Sequence, residues 1–144
     1  MTTAPTSYAV RGRLSAGGAA QVEAGTETVA FDGTWGQEPS GLPGPADLLA
    51  TAFAACLLKN TERASQLLPF HYDRADVDVV VRRQDRPPKF VEISYELRLV
   101  TDESQRQVDL LHRNLRKFGT VYNTLAEACA IDGRVVAIPT GGAR

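Results

Sequence analysis

Two thiols pose the first chemical question in this sequence. Cys56 and Cys129 are the only cysteines among 144 residues. A thiolate is a nucleophile. A free cysteine on an apolar helix is ordinarily a small hydrophobe, and burial alone leaves a thiol inert. A reactive Cys56 therefore needs a cation nearby. Moving an ordinary thiol from a pKa of ~8.5 to ~6 takes roughly 3.4 kcal/mol, at about 1.36 kcal/mol per unit. A partly buried arginine can supply that; an exposed lysine cannot. Lys59 stands at i+3 on the same helix face. Arg11 and Arg13 share one face of an N-terminal strand and could reach Cys56 only through the fold.

Other chemistries find little support. There is no CxxC, P-loop or GxGxxG, and His71 and His112 add no metal-ligand spacing, so neither a metal nor another cofactor is expected. His112 follows Leu111 and reads as a helix-surface histidine. The basic run from Arg82 to Lys89 lacks interleaved aromatics and reads as a solvated hairpin tip. Net charge is −1, from 16 basic and 17 acidic residues, so no global field draws in nucleic acid or an anionic membrane. The longest apolar stretch, Leu48 to Leu58, has 11 residues. It would span roughly 16 Å against a hydrocarbon core of ~30 Å. The opening MTTAPTSYAV lacks a basic region followed by an apolar run. A cytoplasmic location, with reduced thiols, is the resulting expectation.

The elements that must position these residues follow from periodicity. Length and composition suit one globular α+β domain over residues 1–144, with flexible ends at 1–7 and 140–144. Tyr8 to Leu14 alternates as a half-buried strand does, and Gly17-Gly18 marks a turn. Residues 19–24 and 28–32 complete an N-terminal meander, and Gly33 to Pro45 is an irregular connection holding Trp35. Pro45 suits a first helical position, and Asp47 suits the first turn of a helix dipole. The helix that follows is apolar or small all round through Leu58, as an enclosed helix is. Residues 77–82 and 90–100 read as strands joined at Arg86-Pro87-Pro88. Residues 105–118 read as a helix that Gly119 breaks, with Tyr122, Leu125, Ala126 and Cys129 continuing its period. Asp132-Gly133 reads as a turn, and 135–138 as a last strand.

The segment GPADLLATAFAACLL, Gly44 to Leu58, resembles the OsmC and organic-hydroperoxide-resistance family, in which a proline-acid-leucine opening leads into an apolar helix ending in Ala-Ala-Cys. The Gly-rich approach from Gly33, the His71-Tyr72-Asp73 step before a strand, and Gly119-Thr120-Val121-Tyr122-Asn123-Thr124-Leu125 extend the resemblance over about Tyr8 to Ile138. It implies an α+β fold with antiparallel sheets around a central buried helix, in an intertwined homodimer with the active site at the subunit interface. It implies a peroxidase of oxidative or osmotic stress defence. Cys56 would attack an organic hydroperoxide, Cys129 would resolve the sulfenic acid, and an external dithiol such as a lipoylated protein would restore the thiols. Arg11 or Arg13 would hold the thiolate, oriented by an acid near the helix start. The family glutamate directly follows the proline; here that position is Ala46, and Asp47 comes one step later, about 100° round the helix. Asp47 is thus either that acid or a first-turn dipole partner. Cys129 is followed by Ala130 where the family carries proline, so it either resolves Cys56 or packs as a core residue. Leu48, Leu49, Phe53 and Leu57 would form an apolar wall favouring an alkyl or acyl peroxide. The competing reading is a redox-silent dimer that binds a small lipophilic molecule.

Overall fold

The structure is a computed structural model and describes residues 5–142. Residues 1–4 and 143–144, parts of the two expected flexible ends, lie outside the described residues. The chain divides into two compact units, with the boundary between Leu48 and Leu49.

The first unit is an antiparallel meander of β1 (Arg11–Leu14), β2 (Ala19–Ala24) and β3 (Glu27–Asp32), in that spatial order. Gly17 and Gly18 turn the chain between β1 and β2 with φ near +103° and +104°, a conformation that favours glycine. β1 is shorter than the alternation of 8–14 predicts. Arg11 pairs with Glu23, and β2 ends one residue later, so Tyr8 and Ala9 run past the end of β2, and Val10 is not paired with it either. Nor is β1 half-buried: all four of its residues are exposed. Among the described residues of this unit none is fully buried.

The second unit holds the core. Helix α1 (Pro45–Leu67) enters it, followed by β4 (Arg74–Asp85), β5 (Pro88–Val100), α2 (Gln105–Phe118), α3 (Thr120–Ala126) and β6 (Ala130–Ile138). β5 is the central strand of its sheet, between β4 and β6. Its alternation puts Ile93, Tyr95, Leu97 and Leu99 on the core and Glu92, Ser94, Glu96 and Arg98 on the outer face. α2 follows its sequence pattern: Val108, Leu111 and Leu115 are buried, Ser104 accepts from the Gln107 amide as N-cap, and Gly119 ends the helix.

Three expectations need correction. The antiparallel expectation holds within β1–β3 and between β4 and β5, but β6 pairs with β5 in parallel. The segment 101–129, containing α2 and α3, is long enough to carry the chain back to the starting end of β5, as a parallel neighbour requires. Asp132-Gly133 is no turn, because both residues lie inside β6. Gly133 sits beside Tyr95 in the ladder, and a Cβ there would lie 2.1 Å from Tyr95 Cε1. Glycine is needed to admit the ring, not to bend the chain. Finally, α1 is not enclosed by its own chain. Phe53, Leu57, Thr61 and Ala64 are buried along one stripe, whereas Ala52, Ala55 and Leu58 are exposed. At the far end, Thr140 is tied down: its amide and hydroxyl donate to the two Asp102 carboxylate oxygens at 3.0 and 2.6 Å.

Candidate functional site

Cys56 sits midway along α1 and is a free, partly buried thiol. Its flank is set by helical spacing. Phe53 and Leu57, at i−3 and i+1, are fully buried and anchor this stretch of α1 in the core. Phe53 stacks on Tyr122 with ring centroids 5.6 Å apart and tilts against Tyr95 at 5.8 Å. Beyond the sulfur lies the break between α2 and α3. Gly119 is buried there in an ordinary extended conformation, φ −74° and ψ 117°. A Cβ on it would lie 3.1 Å from Cys56 Sγ and 3.0 Å from Tyr122 Cβ. The glycine that stops α2 thus also leaves the sulfur its room.

Among the described residues, the side chain of Asn60 reaches the sulfur. Asn60 Nδ2 donates to the Cys56 carbonyl oxygen at 2.9 Å and to Cys56 Sγ at 3.5 Å. Asn60 was not among the residues expected beside Cys56, all of which were cations. Spacing of i+4 on the helix was the signal that could have found it. Lys59, the cation considered at i+3, is exposed.

Arg11 and Arg13 are exposed on β1 in the first unit, and among the described residues neither takes part in an ion pair. Asp47 Oδ2 accepts from the Gly44 amide at 2.9 Å, which caps the start of α1 in the manner of the acid of a capping box. Leu48 and Leu49 are partly buried. Cys129 lies in the turn between α3 and β6, not on a helix. Its amide donates to the Leu125 carbonyl at 3.0 Å, and its Sγ donates to the same oxygen at 3.5 Å. The two sulfurs stand apart, with no disulfide between them.

His112 is not a surface histidine. It is half-buried and shares a hydrogen bond of 2.6 Å with the Tyr95 hydroxyl. Burial holds its pKa below the usual imidazole range, with Arg116 adding in the same direction. Burial likewise pushes the Tyr95 phenol well up. An open cavity of about 520 Å³ lies over the outer face of the second sheet, lined by Asp78, Val80, Ser94, Glu96, Asp132 and Arg134. Arg98 already bridges Asp78 and Glu96, and Arg134 donates to Glu96, so this face is an ion-pair lattice. Hydrogen bonds from Arg134, then Arg98, hold the Glu96 carboxyl below its ordinary range. Among the described residues no group of three or more His, Cys, Asp or Glu could hold a metal ion. No helix among them is long and apolar enough to cross a membrane.

The fold has solved counterparts. An OsmC-like protein from Mycoplasma pneumoniae superposes with a TM-score of 0.83 at 16% identity, covering 92% of this chain and 98% of that one. An organic hydroperoxide resistance protein OsmC from Legionella pneumophila gives 0.68 at 16% identity, over 92% and 99% of the two chains. The organic hydroperoxide resistance protein OhrB of Bacillus subtilis gives 0.66 at 14% identity, over 89% and 98%. Among curated protein sequences none matches the chain. The family described as OsmC-like protein matches residues 37–133, a segment that contains Cys56, Asn60, Gly119 and Cys129. The chain belongs to the OsmC-like protein family.

Proposed function

We propose that the protein is a thiol-dependent peroxidase that reduces organic hydroperoxides, with Cys56 as its nucleophile. The observation that carries this reading is the free, partly buried Cys56 thiol held against Gly119 and Asn60, inside the segment matched by the family. The Cys56 thiolate attacks one peroxide oxygen and breaks the O–O bond. A proton goes to the departing alkoxide, leaving an alcohol and a Cys56 sulfenic acid. A thiol then condenses with the sulfenic acid, releasing water and forming a disulfide. An external dithiol returns both sulfurs to thiols through a mixed disulfide and is itself oxidised.

Cys129 is the resolving thiol in this scheme. To act, it must leave the Leu125 carbonyl and come within the ~7 Å Cα separation a disulfide tolerates. The separation of the sulfurs favours a second reading, in which the protein binds a small lipophilic molecule without redox turnover. In either reading the working unit is a homodimer. The first unit supports this: among its described residues none is fully buried, and it exposes Tyr8, Val10, Leu14 and Trp35, apolar surface that a second copy would cover.

Cumene hydroperoxide turnover with a dithiol, measured for wild type, Cys56→Ser and Cys129→Ser, tests the proposal. Loss in both variants supports the two-cysteine cycle. Loss only in Cys56→Ser means that an external thiol resolves the sulfenic acid. Equal rates in all three would sink the peroxidase reading.

A further inference from the structure

We infer that Asn60 is a positioning residue that aims a hydrogen-bond donor at the Cys56 sulfur, the atom that attacks in the proposed reaction. The inference rests on the peroxidase reading only for its purpose; the geometry stands by itself. The carbonyl oxygen of Cys56 can only accept a hydrogen bond, so the side of the Asn60 amide facing it at 2.9 Å must be the nitrogen. That contact settles the amide orientation. An amide nitrogen has two protons, and engaging one with the carbonyl leaves the other for Sγ at 3.5 Å. The carbonyl bond thus fixes the donor before the thiol ionises. A hydrogen bond donated to sulfur favours the charged form, because the thiolate is the stronger acceptor.

The neighbours give no competing explanation of comparable reach. From α3, Tyr122 packs beside the same Gly119 position. On α1, Lys59 is exposed, and Arg63 is engaged with Asn114 and the Phe118 ring. Asn60 is uncharged, so its effect on the sulfur is local and resists salt, unlike that of an exposed cation.

The test uses the full chain carrying Cys129→Ser, which leaves Cys56 as the sole thiol. Iodoacetamide alkylation is followed across the pH range for this chain and for its Asn60→Ala and Asn60→Asp forms. Near neutral pH, Asn60→Ala slows alkylation about three- to tenfold. Asn60→Asp, nearly the same shape, slows it further, because a carboxylate repels the thiolate. At high pH, where every molecule is thiolate, the advantage of Asn60 disappears, and its advantage over alanine near neutral pH survives high salt. A merely structural role would not place aspartate below alanine. Superimposable pH profiles, or alanine and aspartate forms that behave alike, overturn the inference. Alkylation needs no peroxide. A wild-type chain that fails to turn over cumene hydroperoxide, while the Cys129→Ser chain alkylates as expected, refutes the peroxidase reading and leaves the role of Asn60 standing. Unchanged alkylation with retained turnover refutes the role of Asn60 alone.

Discussion

Gly133→Ala should be among the most damaging small substitutions in this protein. A Cβ at that position would stand 2.1, 2.2 and 2.4 Å from three atoms of the Tyr95 ring. Carbon atoms pack best at about 3.5–4.0 Å, so the ring must retreat by more than about 1 Å. It has nowhere to go without loss, because Tyr95 is only 5% exposed. It packs on Phe53 and Tyr122 and holds His112 through its hydroxyl. Overpacking costs about 1–3 kcal/mol. Breaking the hydrogen bond adds about 1 kcal/mol, and disturbing the aromatic pairs about 0.5–1.5 kcal/mol. The stiffer unfolded chain of an alanine variant returns about 0.4–1 kcal/mol. The net expectation is a loss of about 3 kcal/mol. Urea unfolding at fixed protein concentration measures it, with Tyr95→Leu and the double variant completing a cycle. In the Tyr95→Leu background the glycine substitution should cost under about 1 kcal/mol, since the ring is gone. A wild-type background loss below about 0.5 kcal/mol would refute the ring-over-glycine reasoning.

Two further predictions follow from described contacts. His112 has a folded pKa below its unfolded value, so the unfolded chain takes up its proton first as pH falls. The stability that neutral His112 contributes is complete above the unfolded pKa of about 6.5 and is lost as pH falls from there toward the folded value. Urea midpoints should therefore drop across that window in wild type and drop less in His112→Gln; parallel curves would refute the assignment. Asp47→Ala removes the acceptor for the Gly44 amide and should cost about 1 kcal/mol, with Asp47→Asn costing less because its oxygen still accepts. Equal losses in the two variants would show that charge, not the cap, matters.

Much of the second unit could be read from residue order because its signals are local. In α2, buried positions, cap and stop lie within sixteen consecutive residues, Ser104 to Gly119. β5 announces itself by nine residues of alternation, Val91 to Leu99. What escaped depended on distant partners. Gly133 looks like half of a turn until Tyr95, 38 positions earlier, is known to lie across from it. His112 looks solvated until the Tyr95 hydroxyl is found at its ring. The apolarity of α1 tells how much of the helix avoids water, not which flank its own chain covers. At the candidate site, the resemblance singles out Cys56, whereas nothing in residue order singles out Asn60, because it carries no charge.

The parallel seam between β5 and β6 also bears on how the chain assembles. The β4–β5 hairpin closes over two residues, Arg86 and Pro87, and can form early at small entropic cost. β6 can join only after residues 101–129 have come back across the sheet, so its contacts span a far longer loop. The strand that brings Gly133 to Tyr95 is thus the slow step's cargo. Until it docks, the core aromatic ring beside Phe53 lacks its floor. Exposure of Tyr95 and Phe53 in late folding species is the expected signature, and a nascent chain that stops short of Ile138 should be recognisable to chaperones by it.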